Sequence, residues 1–259
     1  RSYETQGDVL IVKIEDTIWE YGEMIADAML TQLPSIRLVC ADLGVHGEFR
    51  VRKLHPLASR DGSLETRTRV REHGSLLWVD PSAAYFSSRL SNERIETLAT
   101  AKRLRERLGR GLVIADPYAG VGPALIPLSG LEDSIEAIFA SDLNPKAAEL
   151  LSLNLPGHWS ACRDARQLAN ELPECCDLLL VNLPHDSINH LPDLLGLLKK
   201  EHEVVIRGWA ILALDSLDRA ESDIRDILSE CEIHSLTIEA NRSYSPNDTY
   251  ACIEAHITR

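Results

Sequence analysis

One local event, repeated three times, constrains this chain more than anything else in it: an apolar run ends abruptly in a short polar turn. Leu112-Val-Ile-Ala115 ends in Asp116-Pro-Tyr-Ala-Gly-Val-Gly-Pro123, Ala137-Ile-Phe-Ala-Ser141 ends in Asp142-Leu-Asn-Pro145, and Asp177-Leu-Leu-Leu-Val181 ends in Asn182-Leu-Pro184. Each of these residue types is common after a strand, so one such turn says little. Three in order predict strands whose ends converge on one edge of a parallel sheet, the edge where open α/β sheets bind ligands. Gly120 and Gly122 supply a turn without side-chain bulk, so the backbone can pass close to a ligand. The spacing is neither the three-glycine dinucleotide fingerprint nor a phosphate loop ending in Gly-Lys-Ser/Thr, and no Gly-x-Ser-x-Gly elbow is present. In a nucleotide-like site the acid ending the second strand hydrogen-bonds the ribose hydroxyls, which points to Asp142.

Around this centre the alternation predicts a doubly wound sheet, with strands near 112–116, 137–142, 159–163, 177–183 and 203–209 and helices between them. Two long strands follow, near 232–241 and 250–257, and the turn Tyr244-Ser-Pro-Asn-Asp248 makes them an antiparallel hairpin. Upstream, residues 8–14 alternate as a strand, 17–32 carry helical spacing before Pro34, and 36–40 and 49–57 read as further strands. A small α+β unit thus occupies residues 1–75 and a larger α/β unit 76–259. Residues 59–74 are polar and basic, as in a loop or exposed hairpin, and Asn92-Glu93-Arg94 opens a helical pattern through Leu98, Ala101 and Leu104.

The net charge of −13 by itself argues against a nucleic-acid partner, because phosphate binding is driven by Lys and Arg. Its distribution reverses the argument: residues 50–110 hold 14 Lys plus Arg against 7 Asp plus Glu, while the flanking stretches are acidic. A solvated basic face accounts for the same numbers. Arg outnumbers Lys 21 to 6, which suits phosphate clamps and equally reflects genome composition. No apolar run reaches the ~20 residues of a membrane helix and no signal peptide opens the chain, so a cytoplasmic protein is expected. The 6 cysteines lack metal-site spacing and mostly sit in apolar runs, so buried free thiols are expected, with no metal and no disulfide framework.

The three strand-end turns resemble the S-adenosylmethionine site of the archaeal and eukaryotic tRNA guanosine-37 N1-methyltransferases. Val79-Asp80 followed by Tyr85-Phe-Ser-Ser-Arg-Leu-Ser-Asn-Glu-Arg94 is similar to that family's signature ahead of the methyltransferase domain, and Gln6-Gly7-Asp8, Gly47-Glu-Phe-Arg50 and Ser243-Tyr-Ser-Pro246 extend the similarity. The resemblance implies a Rossmann-like class I methyltransferase sheet with a C-terminal antiparallel hairpin, preceded by a small α+β domain that holds the anticodon region. It implies S-adenosylmethionine as cofactor and the tRNA anticodon stem-loop as partner, with no metal, membrane or protein partner. Many members carry a further small domain upstream that recognises the outer corner of the tRNA. The chain starts at Arg1 and shows nothing corresponding to that domain, so either it is a fragment or it belongs to a shorter subgroup.

Carried over position by position, the resemblance assigns cofactor contacts to Tyr85, Phe86, Arg89 and Arg94, to Asp116, Ala119, Gly120 and Gly122, to Asp142, Leu143 and Asn144, to Asp164 and Ala165, and to Asn182 and Pro184. Asp164 would lie beside the adenine, although capping the following helix explains it as well. Glu93 aligns with the proposed base that removes the N1 proton of guanine, while a Glu in a first helical turn also complements the helix dipole. Arg50 aligns with the arginine that stabilises charge building on O6, and Arg52, two residues along the same expected strand, is its rival. By the same resemblance Asn182 would orient guanine and cofactor together, in a turn lacking the stacking aromatic of adenine N6 enzymes. Asp116-Pro-Tyr-Ala-Gly departs from the family's usual Asp-Met-Phe-Ala-Gly. The competing assignments are a wybutosine-pathway aminocarboxypropyltransferase, whose members tend to lack the second and third turns, and a non-catalytic RNA-binding paralogue.

Overall fold

The structure is a computed structural model that describes residues 3–131 and 134–259. Its contacts cluster into two compact units that part between Ser91 and Asn92.

In the first unit, β1 (Tyr3–Gln6), β2 (Val9–Val12), β3 (Leu38–His46) and β4 (Val51–Ser59) form one sheet in chain order. β2 and β3 are parallel, and α1 (Gly22–Gln32) makes the crossover; the other two pairings are antiparallel. Leu10, Val12, Ala26, Leu30 and Val39 form the core between α1 and the sheet. The helical spacing of residues 17–32 proves to be two structures. Asp16–Tyr21 is a 3-10 segment with no buried side chain, and the α-helix begins only where Gly22 packs on Leu57 and Ile14. The basic stretch 59–74 resolves into a loop and a hairpin of β5 (Thr68–Glu72) and β6 (Ser75–Val79). His73 (φ 47°) and Gly74 (φ 84°) supply the two left-handed residues that a tight turn between twisted strands requires.

The second unit carries α2 (Ser91–Leu108), whose boundary residue Ser91 closes the first unit, and then the predicted alternation. The strands are β7 (Leu112–Asp116), β8 (Ile135–Asp142), β9 (Trp159–Cys162), β10 (Leu178–Val181), β11 (Glu203–Ala213), β12 (Glu232–Ser243) and β13 (Asp248–Thr258). The helices are α3 (Ile126–Ser129), α4 (Pro145–Asn154), α5 (Ala165–Glu171), α6 (Ser187–Leu194) and α7 (Leu217–Ile227). The sheet order is β12-β13-β11-β10-β7-β8-β9. β7 to β11 pair in parallel, and every residue of β7 and β10 is buried, as strands covered on both faces must be. The last strand, β13, inserts antiparallel between β11 and β12, so the terminal hairpin is built into the sheet instead of being appended to it.

Strand order reverses direction between β7 and β10, the switch point at whose C-terminal side open α/β sheets bind ligands. The helix expected after the glycine turn is a single turn, α3, because Pro123 and Pro127 remove backbone donors and disfavour helix before them. At the opposite edge, fully buried Asp177 is held by Arg110 (2.7 Å), His202 (2.9 Å), Lys199 (3.1 Å) and the Val113 N–H (2.8 Å). Burial alone would push its carboxyl up; these partners hold it well below the ordinary carboxylate range.

Candidate active site

The three polar turns of the sequence lie on one edge of the sheet of the second unit, and two of them are directly bonded to each other. Asp142, at the end of β8, accepts the Gly120 N–H at 2.8 Å through one oxygen and the Asn144 N–H at 2.8 Å through the other. The Ala119 N–H donates to the Ser141 carbonyl at 2.9 Å. The glycine turn therefore takes its shape from the end of β8. Gly120 (φ 57°) and Gly122 (φ 83°) are both left-handed, and a Cβ on Gly122 would stand 2.8 Å from Leu151 Cδ1 on α4. Gly122 thus lets the turn close down on α4.

Asp116, at the end of β7, is 1% exposed, and one of its oxygens accepts the Tyr118 N–H at 3.2 Å. Burial first, with some relief from that N–H and an added push from Asp142, raises its carboxyl to about 7. Asp142 is raised too by burial, but its two backbone N–H partners oppose the shift. The edge therefore holds two neighbouring acids with no basic side chain among their described partners. That is an arrangement suited to the cationic end of a ligand.

Around them, Leu143 is 49% exposed at the rim, and Asn144 caps α4 by accepting the Lys146 N–H at 3.0 Å. Of the two accounts of Asp164, the cap is the one its hydrogen bonds express. It accepts the Arg166 N–H at 3.0 Å and pairs with the Arg166 guanidinium, which holds its carboxyl below the ordinary range. Ala165 is buried in the first turn of α5. In the third turn, Asn182 follows β10 half-buried, and the Pro184 carbonyl accepts the Ile211 N–H at 2.7 Å.

Glu93 lies in the first turn of α2 and is 7% exposed, so it is not a solvated partner of the helix dipole. Its Oε1 is 4.0 Å from Arg242 Nε, and its buried Oε2 has no hydrogen-bond partner among the described residues. A buried carboxylate oxygen without a donor is a costly feature, found where a ligand or a reaction uses it. Arg94, beside it, is buried in the same turn.

Two sets of residues at this edge escaped the sequence reading of roles. Tyr118 Oη lies 2.8 Å from His190 Nδ1, and His190 Nε2 lies 3.2 Å from Asp186, which ties the glycine turn to the start of α6 and thus to the third turn. Arg242 and Tyr244, at the end of the terminal hairpin, reach Glu93 and the ring of His185, the latter at 6.0 Å between centroids. Tyr118 marks the departure from the family's usual turn, and Ser243–Pro246 was a recognisable stretch; their partners lie far away in sequence and leave no local trace.

The remaining predicted residues belong to the first unit. Tyr85 is 61% exposed, Arg89 is exposed, and buried Phe86 offers its carbonyl to Gln6 Nε2 at 3.4 Å. Arg50 is not on a strand beside Arg52: β4 begins at Val51, and Arg50 (φ 50°) closes the turn that starts at Gly47. Arg52 is committed to Glu4 at 2.7 Å, with Asp42 at 3.8 Å. Among the described residues no group of three His, Cys, Asp or Glu side chains is arranged to hold a metal, and no helix is long and apolar enough to cross a membrane.

Comparison with known proteins places this geometry. Residues 68–233 match the TRM5/TYW2 methyltransferase domain, and residues 1–62 match the TYW2 N-terminal domain. The tRNA (guanine(37)-N(1))-methyltransferase Trm5b of Methanocaldococcus jannaschii is 36% identical over 155 residues, covering 60% of this chain and 42% of that protein. Trm5b of Pyrococcus abyssi is 32% identical over 198 residues, covering 73% of this chain and 55% of that one. This chain thus spans roughly half the length, or less, of these two relatives. Among solved structures, a complex of aTrm5 and tRNALeu superposes with a TM-score of 0.74 at 27% identity, over 100% of this chain and 72% of that one. With a family model matching more than half of the chain, from the β5–β6 hairpin through the glycine turn and the parallel strands of the sheet, the chain belongs to the TRM5/TYW2 methyltransferase family.

Proposed function

We propose that the chain is an S-adenosylmethionine-dependent tRNA methyltransferase that modifies N1 of guanosine 37 in the anticodon loop. The observation that carries the reading is the buried Glu93 carboxylate, one oxygen of which lacks a donor among the described residues, on the same unit as the acid-lined strand edge. Support comes from relatives named for this reaction and from the tRNA-bound aTrm5 structure.

The residues present fit the cofactor. Asp116, a buried acid raised to about 7, suits a cationic amino-acid end, and Asp142 keeps lone pairs for ribose hydroxyls beyond those used by its two N–H donors. When bound, S-adenosylmethionine supplies an electrophilic methyl group. Glu93 would take the N1 proton at Oε2 as the N1–methyl bond forms, and Asn182 would orient the base edge. The target base must leave its stack to present N1, as enzymes that act on bases require. Arg50 as the stabiliser of O6 rests on its motif alone, as do the contacts assigned to Tyr85, Phe86 and Arg89. The small α+β domain expected over residues 1–75 would position the RNA, and the reaction would be cytoplasmic.

Aminocarboxypropyl transfer from the same cofactor is the second reading, favoured by the match of residues 1–62 to the TYW2 N-terminal domain. Asn182-Leu-Pro184 and Asp142-Leu-Asn-Pro145 favour methyl transfer. The test is mass spectrometry of nucleosides from a guanosine-37 tRNA transcript incubated with the protein and S-adenosylmethionine. Appearance of 1-methylguanosine, absent from an adenosine-37 transcript, supports the reading. An aminocarboxypropyl adduct on premodified tRNA, without 1-methylguanosine on the plain transcript, refutes it in favour of the second.

A further inference from the structure

Part of the basic zone of the sequence is engaged within the fold. In the first unit Arg52 pairs with Glu4 at 2.7 Å, and Arg60 donates to the Ile36 carbonyl at 3.1 Å. In the second unit Arg107 and Arg110 are paired with Glu203 at 2.8 Å and Asp177 at 2.7 Å. Arg69 and Arg71 differ: among the described residues neither has a carboxylate partner, and both are exposed on β5.

The hairpin concentrates them. Strand pairing sets Arg69 opposite Trp78 and Arg71 opposite Leu76, so these four side chains share one face. The other face is fixed in the unit by Thr68, Leu77 and Val79, which are 5%, 2% and 0% exposed. The Arg69 guanidinium lies 4.2 Å from the centre of the Trp78 ring, and that of Arg67 lies 5.1 Å from it. A guanidinium held against an indole is pre-positioned, and its N–H edge remains able to grip a phosphate with two hydrogen bonds. In a chain of net charge −13, such a face is a local exception whose complement is polyanionic.

We propose that the outer face of the β5–β6 hairpin, centred on Arg67, Arg69, Arg71 and Trp78, is a docking surface for the RNA phosphate backbone. This rests on the tRNA reading above and deepens it, because it names where the substrate's charge is gripped. Arg69 and Arg71 stand two residues apart on a strand, about 7 Å, on the scale of successive phosphates along one RNA strand. The contact is to backbone, so it adds affinity and orientation without sequence preference.

The experiment measures binding of a labelled tRNA transcript by fluorescence anisotropy from low to moderate salt, for the parent and for the double variant Arg69→Gln/Arg71→Gln. Each phosphate contact contributes about 0.7–0.9 to the slope of log K against log salt, so losing two weakens binding on the order of 20-fold at about 0.15 M salt. The slope falls by roughly one per arginine. S-adenosylmethionine binding, measured by calorimetry, stays unchanged and reports an intact fold, and Arg69→Lys/Arg71→Lys retains most of the slope. Parent-like affinity and slope in the Gln variant overturn the hairpin surface while the tRNA reading stands. A parent that binds S-adenosylmethionine but no tRNA overturns that reading, and the hairpin proposal with it.

Discussion

Asp116→Asn separates the electrostatic work at the strand edge from its packing. The Asn side chain is nearly isosteric, and its Oδ1 keeps the Tyr118 N–H as a donor, so the turn retains that hydrogen bond. What changes is titration. The Asp116 carboxyl, with a reference value of 3.8, is raised to about 7 by complete burial, with the neighbouring Asp142 adding to the rise. An acid raised in the folded state binds its proton more tightly there than in the unfolded chain. Its ionisation therefore costs stability progressively as pH rises from about 4 to 7, and the full cost is present above 7. Linkage with these two values gives a parent that loses about 2–3 kcal/mol from this one group between pH 5 and pH 8. Asn carries no such dependence. The assay is urea unfolding of both proteins without ligand at the two pH values, comparing the change in stability difference. That double difference cancels any constant cost of the Asn amide. Asn should gain about 2–3 kcal/mol on the parent from pH 5 to pH 8, and a gain below about 0.5 kcal/mol would show that the Asp116 charge is already compensated in the folded protein. On the proposed function the same variant binds S-adenosylmethionine more weakly at pH 8, because the acid facing its ammonium is gone.

Three further outcomes follow from particular contacts. Glu93→Gln should lower the single-turnover rate of methyl transfer by about 10²–10⁴-fold while leaving S-adenosylmethionine affinity nearly unchanged; a parent-like rate removes Glu93 as the base. Asp142→Ala strips the acceptors from the Gly120 and Asn144 N–H groups, so both stability and cofactor affinity should fall, stability by about 1–3 kcal/mol, and normal cofactor binding by calorimetry would refute the ribose assignment. Gly122→Ala should destabilise by about 1–3 kcal/mol in thermal unfolding, since the new methyl meets Leu151 at 2.8 Å from a left-handed backbone; an unchanged Tm contradicts this close packing.

Where sequence reading lost resolution, the cause was a competing local rule or a remote partner. The periodicity of residues 17–32 was genuine, but its first part buries nothing and settles as a 3-10 segment. The stretch after the glycine turn looked helical, yet its prolines leave one turn. The strand expected over 49–57 starts two residues later, at Val51, because the left-handed Gly47 and Arg50 close a turn before β4. The local excess of basic residues is correct as a count, but it does not say which of them are engaged: Arg52, Arg60, Arg107 and Arg110 bond carboxylates or carbonyls of the fold.

By itself the sequence determined the strand-and-turn order of the second unit and the positions of its three polar turns, because these depend on neighbours a few residues apart. Only the tertiary structure decided that Asp142 clasps the glycine turn, that β13 enters the sheet between β11 and β12, and that Glu93 keeps one oxygen without a partner among the described residues while the other lies 4.0 Å from Arg242. Tyr118 and His190 are separated by 72 residues and Glu93 and Arg242 by far more, so their contacts exist only once the sheet has brought them together. A carboxylate's partners and solvent exposure set its chemistry, and both are properties of the folded chain.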